Sequence, residues 1–361
     1  MLYHYLYSLR DLWFGFNVFR YITFRAVFSA VTAFLFTILI APSVIRMLEK
    51  LNIKEKVLRK EAPSIYEYHK HKEGTPTMGG IIIIGAIGFS TLIWADLSNK
   101  FILLALLSTL CFGVLGFIDD YIKTKGMSRG LMVTSKLFGQ IVIGSVIGLI
   151  LFADTTFQNT INIPFFKYLV LDIGILYVFF VVVVVVSSSN AVNITDGLDG
   201  LAVGCMATMA FTFAIISYVT GHAQVSEYLN IFFHPSAGEL VVFCMAIVGS
   251  CLGFLWFNAY PASVFMGDTG SMALGGAIGV VAVFVKKELL LFIVGGIFVF
   301  ETLTVLLQVF SCKVRKRRLF LMAPIHHHLQ LKGWPENKII IRFWIIAIVL
   351  SLLTLATLKL R

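Results

Sequence analysis

The chain has 361 residues, 58% of them hydrophobic and 13% charged, with 29 Lys and Arg against 19 Asp and Glu for a formal net charge of +10. A mean hydropathy of +0.91 excludes an ordinary soluble domain, and apolar runs that recur along the whole length exclude one signal segment ahead of such a domain. The positive charge does not imply nucleic acid, because Lys and Arg gather in the cytoplasmic loops of membrane proteins.

Runs of about 20 apolar residues cross a hydrocarbon core at helical rise. Ten are predicted, roughly at 22–45, 78–95, 101–118, 134–152, 170–187, 200–220, 239–257, 270–285, 289–311 and 340–358. The chain therefore reads as an all-α polytopic integral membrane protein, a single transmembrane domain over 1–361. Arg20 and Arg46 bound the first span. The fifth holds the valine run Val181 to Val186, a strand in a soluble protein but buried helix here, since lipid admits no open strand. The ninth carries Gly295-Gly296 and an intramembrane Glu301, which predicts a bend or break. The five Cys lie in or at the end of apolar runs without a CxxC and read as packing thiols. No internal repeat is visible, which disfavours an inverted-repeat transporter.

Alternate loops, at about 46–77, 119–136, 188–199, 258–269 and 312–342, hold 20 of the 29 Lys and Arg. That bias places them in the cytoplasm, and an even span count puts both termini outside. The chemistry-bearing stretches fall in this same set. Their agreement with sidedness predicts one assembled site on the inner face.

The first loop reads Tyr68 to Gly80 and contains Lys70, Lys72, Thr75 and Thr77. Its lysines can hold anionic phosphates and its threonines can cap a helix. Asp119-Asp120 closes the third span, with Lys123, Lys125, Arg129 and Lys136 following. Neighbouring helical carboxylates point about 100° apart, so one can act on metal or substrate while the other orients a partner. The densest polar set is Asn190, Asn193, Asp196 and Asp199, in a loop without basic residues. These hard oxygen donors need a partner from elsewhere, or a metal. The next loop, Asn258 to Ser271, offers Asp268 as a metal ligand or helix cap and Phe265 for stacking on a planar ring. The last carries Lys313 to Arg318, then Pro324-Ile325-His326-His327-His328. Consecutive histidines diverge, so phosphate contacts or proton transfer near pH 7 fit better than zinc. Carboxylates, amides, His and Lys at a membrane–water boundary suit magnesium and phosphoryl transfer.

The segments Gly74 to Gly80, Asp119-Asp120, Asn190 to Gly200, Phe265 to Asp268 and Pro324 to His328, in this order, resemble the phospho-N-acetylmuramoyl-pentapeptide transferase family. That family lies within the wider group of polyprenyl-phosphate N-acetylhexosamine-1-phosphate transferases. The resemblance implies ten transmembrane helices, both termini periplasmic, in the bacterial inner membrane, with a cytoplasmic active site. It implies Mg²⁺-dependent transfer of phospho-N-acetylmuramoyl-pentapeptide from UDP-N-acetylmuramoyl-pentapeptide to undecaprenyl phosphate, giving lipid I and UMP for peptidoglycan synthesis. Asp268 is the implied metal ligand, with Asn193 and Asp196 as further candidates. Asp119, Asp120, Asp268, His326, His327 and His328 are the implied catalytic set. Lys70, Thr75, Lys136, Asn190, Asn193, Asp196, Asp199, Asn258 and Phe265 are the implied substrate contacts, with Asp199 near uracil and Phe265 against its ring. A homodimer and an outward-bent ninth helix are also implied. Two rivals are a sister enzyme moving GlcNAc-1-phosphate from UDP-GlcNAc, which the Pro324-to-His328 segment disfavours, and a secondary transporter, which would place its acids at mid-membrane.

Overall fold

The computed structural model describes residues 2–53, 72–125, 130–166 and 170–359. Ten apolar helices carry the fold. They are α1 (Ile22–Lys50), α2 (Gly80–Trp94), α3 (Lys100–Thr124), α4 (Val133–Ala153), α5 (Leu176–Thr195), α6 (Leu201–Thr220), α7 (Leu240–Asn258), α8 (Gly267–Phe284), α9 (Gly296–Val314) and α10 (Glu336–Thr357). Among the described residues, nine of these are long and apolar enough to cross a membrane. The exception is α2, whose 15 residues rise only about 22 Å. Its first turn nonetheless lies against the start of α8, while Trp94 contacts α1 at the opposite end of the bundle.

Helix lengths follow the apolar runs, but several helices continue past them. The third extends through Asp119-Asp120 to Thr124 and the fifth through Asn190 and Asn193 to Thr195. Both polar motifs expected in loops therefore stand on helical turns. The valine run is helical. The ninth span is interrupted at Gly295, with a short turn over Leu291–Val294 before α9. Residues 170–172, expected at the start of the fifth span, instead pair as strand β2 (Val170–Asp172) with β1 (Thr160–Asn162) in an antiparallel ribbon. Val170, Leu171 and Asp172 are all exposed, and the Asp172 carboxylate accepts from Gly174 N–H, which suits a short ribbon ending in a turn better than a buried helical turn.

The central helix is α8, buried from Thr269 to Phe284 and packed against α2, α3 and α5. Its glycines allow this: a Cβ on Gly276 would overlap the Phe112 ring, and one on Gly275 would strike the α5 backbone. Small residues similarly seat α1 on α7, where the Ser29 hydroxyl donates to the Val242 carbonyl at 2.9 Å. Such close approach supplies packing where lipid offers no hydrophobic drive between helices. The outer faces expose Leu39, Phe138, Phe179 and Leu352, the apolar surface that hydrocarbon solvates.

The end of the bundle away from the motifs is closed by buried ions. Arg25, 2% exposed, donates in bidentate fashion to Glu239 at 2.8 and 2.6 Å. Lys286 is closed off from solvent. It donates to the Thr160 carbonyl at 2.9 Å and lies 3.8 Å from the Tyr177 ring centre. Burial holds its ammonium down to about 8 and pushes the neighbouring Glu288 carboxyl up. These contacts fasten the β-ribbon to the bundle. All five cysteines are free thiols.

Candidate active site

The polar motifs meet at one end of the bundle. Backbone pairing joins the first of them to the fourth. Gly79 and Gly80 N–H donate to the carbonyls of Phe265 and Met266 at 2.8 Å each, and Phe265 N–H donates to the Pro76 carbonyl at 2.8 Å. A Cβ on Gly80 would collide with the Gly270 backbone, so a side chain there would prise α2 from α8.

Asp119 and Asp120 are both buried, at 2% and 4% exposure, yet face different partners. Asp120 caps α8. Its Oδ1 accepts from Asp268 N–H at 3.1 Å, and its Oδ2 accepts from the N–H and hydroxyl of Thr269 at 2.9 and 2.7 Å. These are orphan donors of a helix N-terminus, where a carboxylate is also favoured by the dipole. Asp119 instead faces cations. Its Oδ1 accepts from Leu131 N–H at 2.6 Å, while Oδ2 meets Lys123 at 2.9 Å and Lys136 at 3.2 Å. Lys123 also bonds Asp268 Oδ2 at 2.9 Å, and Lys136 reaches the same oxygen. Two carboxylates from α3 and α8 are thus bridged by two ammonium groups.

Asn193 supports this centre. Its amide donates to Asp268 Oδ1 at 2.8 Å and to the Ser271 hydroxyl at 2.9 Å. Asn190, one turn earlier, donates to Gln140 at 2.7 Å and ties α5 to α4 rather than joining the carboxylates. Asp196 ends α5 half-buried as its C-cap.

A second cluster adjoins the first. Lys72 is 5% exposed and donates to Asp199 Oδ1 and Glu336 Oε1 at 2.6 Å each. Glu336 Oε1 also accepts from Asp199 N–H at 3.0 Å. The other Asp199 oxygen accepts from Ala262 N–H at 3.0 Å. Asn258 Oδ1 accepts from Gly200 N–H at 3.0 Å, and its amide donates to the Val264 carbonyl at 2.8 Å. Gly200 has φ +77°, a conformation glycine adopts without strain. Phe265 is half-buried with Lys72 Nζ 6.0 Å from its ring centre. Thr75 lies beside this cluster, its N–H donating to the Lys72 carbonyl at 3.2 Å. Lys70 lies outside the described residues.

The three histidines diverge on a short helix, Ile325–Leu331. His326 is fully enclosed; its Nδ1 approaches Glu301 Oε2 at 3.0 Å without hydrogen-bond alignment. Its Nε2 abuts Gly197, where a Cβ would collide with it. His327 pairs with Gln330 Oε1 at 2.9 Å, and His328 accepts from Leu321 N–H at 3.1 Å. Burial pushes His326 and His327 down to about 3. At that value both are neutral at pH 7, which disfavours the proton transfer near that pH expected from the sequence.

Sequence reasoning missed Glu336. It follows Pro335 at the start of α10, the pattern of an ordinary helix N-terminus, and its partners are distant in sequence. Among the described residues no three His, Cys, Asp or Glu side chains form a metal-binding group. Asp119 and Asp268 offer hard oxygens converging on the same two ammonium groups. A magnesium ion uses one or two protein carboxylates and completes its shell with phosphates and water, so this donor set fits it.

The Glycosyl transferase family 4 model matches residues 102–286 of this bundle of apolar helices, which places the chain among membrane transferases. The phospho-N-acetylmuramoyl-pentapeptide-transferase signature 1 matches residues 72–84. Proteins named phospho-N-acetylmuramoyl-pentapeptide-transferase are similar over the full length of both chains. The protein of Citrifermentans bemidjiense is 51% identical, that of Thermodesulfovibrio yellowstonii 50% and that of Pelobacter propionicus 50%. The chain belongs to the phospho-N-acetylmuramoyl-pentapeptide-transferase family, and it is an enzyme of the bacterial inner membrane with multiple passes.

Proposed function

We propose that this chain transfers phospho-N-acetylmuramoyl-pentapeptide from its UDP-linked donor to undecaprenyl phosphate, releasing UMP and forming lipid I. The carrying observation is the pairing of Asp119 and Asp268 through Lys123 and Lys136. Two lysines on hand beside two carboxylates suit a reaction in which two phosphate groups must approach one another. The adjoining cluster has the Phe265 ring face on which a uracil ring would stack, with Asn258 holding the Gly197–Gly200 turn beside it.

Lys123 and Lys136 offset negative charge on the donor diphosphate and the acceptor phosphate. A phosphomonoester is already largely ionised at pH 7, with a second pKa of about 6, so Asp119 need not abstract a proton. It orients the lysines and the acceptor for direct displacement at the β-phosphorus, with UMP as the leaving group. Bound Mg²⁺ supplies Lewis-acid polarisation of the phosphoryl oxygens. Asp268 and Asp119 would hold it, and Asn193 fixes the Asp268 carboxylate. Appearance of label from UMP in the UDP-donor without any lipid acceptor would contradict direct displacement.

The Lys and Arg bias supports a motif end in the cytoplasm; ten crossings would then leave both termini periplasmic, and a homodimer is part of the same proposal. The assay that tests the function is UMP release with undecaprenyl phosphate and Mg²⁺, comparing UDP-N-acetylmuramoyl-pentapeptide with UDP-GlcNAc. Turnover confined to the first donor is expected. Turnover confined to UDP-GlcNAc would assign the sister reaction, and none with either would remove the proposal.

A further inference from the structure

The buried triad of Lys72, Asp199 and Glu336 draws together three distant parts of the chain. Lys72 comes from the first motif, Asp199 from the turn between α5 and α6, and Glu336 from the first turn of α10. All three side chains are at least nine-tenths buried. Ion pairs withdrawn from water stabilise little by themselves, because desolvation offsets much of their attraction. Such pairs do fix geometry, since each departure leaves a charge unpaired. Here the geometry being fixed is that of one turn.

Glu336 Oε1 accepts from Asp199 N–H at 3.0 Å and from Lys72 at 2.6 Å. Lys72 in turn holds Asp199 Oδ1 at 2.6 Å, leaving Asp199 Oδ2 to accept from Ala262 N–H at 3.0 Å. Gly200 N–H, the next donor along the turn, goes to Asn258. The Gly197–Gly200 backbone is thereby tied to the Asn258–Phe265 segment on one side and to α10 on the other. The hydrogen bonds and ion pair of Glu336 go to Lys72 and Asp199, not to Asp119, Lys123, Lys136 or Asp268. Its reach ends in the cluster that contains the aromatic ring, not the one that contains the paired lysines and carboxylates.

We infer that Glu336 is a positioning residue for the nucleotide half of the site: with Lys72 it sets the Gly197–Gly200 turn and hence affinity for the uridine-linked donor. This rests on the function proposed above. A planar heterocycle is recognised by a ring face and by donors and acceptors held in fixed directions. The turn and Phe265 supply these only while the triad holds them in register. The lipid acceptor, whose phosphate belongs with the lysine pair, does not depend on Glu336.

The test is UMP binding by calorimetry, together with donor and acceptor kinetics, on the full-length protein in detergent. Glu336→Ala is expected to weaken UMP and raise the donor KM about tenfold or more, as expected when a charge-assisted hydrogen bond is lost. The acceptor KM and kcat are expected to change by less than about threefold, the spread usual for contacts a variant does not touch. Glu336→Gln, which keeps the acceptor oxygen but not the charge, should fall between Glu336→Ala and wild type. Lys72→Met should reproduce the donor effect, and the double variant should be no worse than about the weaker single one, because both act on one turn. Unchanged UMP affinity in both Glu336→Gln and Lys72→Met, or equal losses for donor and acceptor, would overturn the inference. If wild type itself releases no UMP from the donor, it is the proposed function that fails. UMP binding in the variants still reports on the turn.

Discussion

Asp120 holds Asp268 in place through the backbone. Its Oδ1 accepts from Asp268 N–H at 3.1 Å, and its Oδ2 takes both donors of Thr269. The adjacent Asp119 meets the same Asp268 through two lysines. One residue of the pair caps the helix that carries Asp268 and the other faces Lys123 and Lys136.

Asp120→Asn turns an amide N–H₂ toward groups that donate. It is expected to cost about 1–2 kcal/mol, read as a fall of roughly 2–4 °C in Tm. Activity falls with it, because the start of α8 shifts Asp268. Thermal unfolding in detergent checks this, and an unaltered Tm would contradict the capping role.

Asp119→Asn keeps the shape but removes the charge that faces Lys123 and Lys136. Turnover is expected to drop by at least about a hundredfold, with UMP affinity changed by less than about threefold. Steady-state kinetics with calorimetry would show the split. Equal loss of nucleotide affinity would place Asp119 at the other substrate.

Gly197 sits against His326 with no room for a Cβ. Gly197→Ala is expected to destabilise by about 1–3 kcal/mol, the usual range for overpacking, and to impair activity by moving the turn. Retained Tm and activity together would show that the histidine can give way.

The buried histidines link stability to pH. His326 and His327 are pushed from 6.5 to about 3 by burial, so the unfolded chain binds protons first as pH falls. Their contribution is fully present above about pH 6.5 and is lost progressively toward pH 3. Tm should fall across that window, and His326→Gln should flatten the fall. An equal slope in the variant would assign the effect to other groups.

The span positions were legible because runs of about 20 apolar residues cross a hydrocarbon core only as helices, and Gly295 marked the break that interrupts the ninth. Helix ends were less legible. Asp119 to Thr124 and Asn190 to Thr195 are polar, yet helical hydrogen bonding continues beyond the apolar run. Residues 170–172 run on into the apolar stretch of the fifth span, so they read as its start although they pair with 160–162. Within the site, Asp268, Asp119 and Lys136 were visible as residue types set beside apolar runs. Their division of labour was not, since Asp119 and Asp120 are chemically identical and differ only in direction. Glu336 was invisible because its partners, Lys72 and Asp199, lie 264 and 137 positions away.

The central claim is that Asp268, fixed by Asp120 and Asn193 and paired with Lys123 and Lys136, lies at the heart of a phosphoryl-transfer centre. The most direct measurement is Mg²⁺-dependent UMP release from UDP-N-acetylmuramoyl-pentapeptide with undecaprenyl phosphate, comparing wild type with Asp268→Asn. The expected result is release by wild type and a fall of at least about a thousandfold in the folded variant, the scale of losing a charge that acts in the transition state. Near-wild-type release by Asp268→Asn would contradict it.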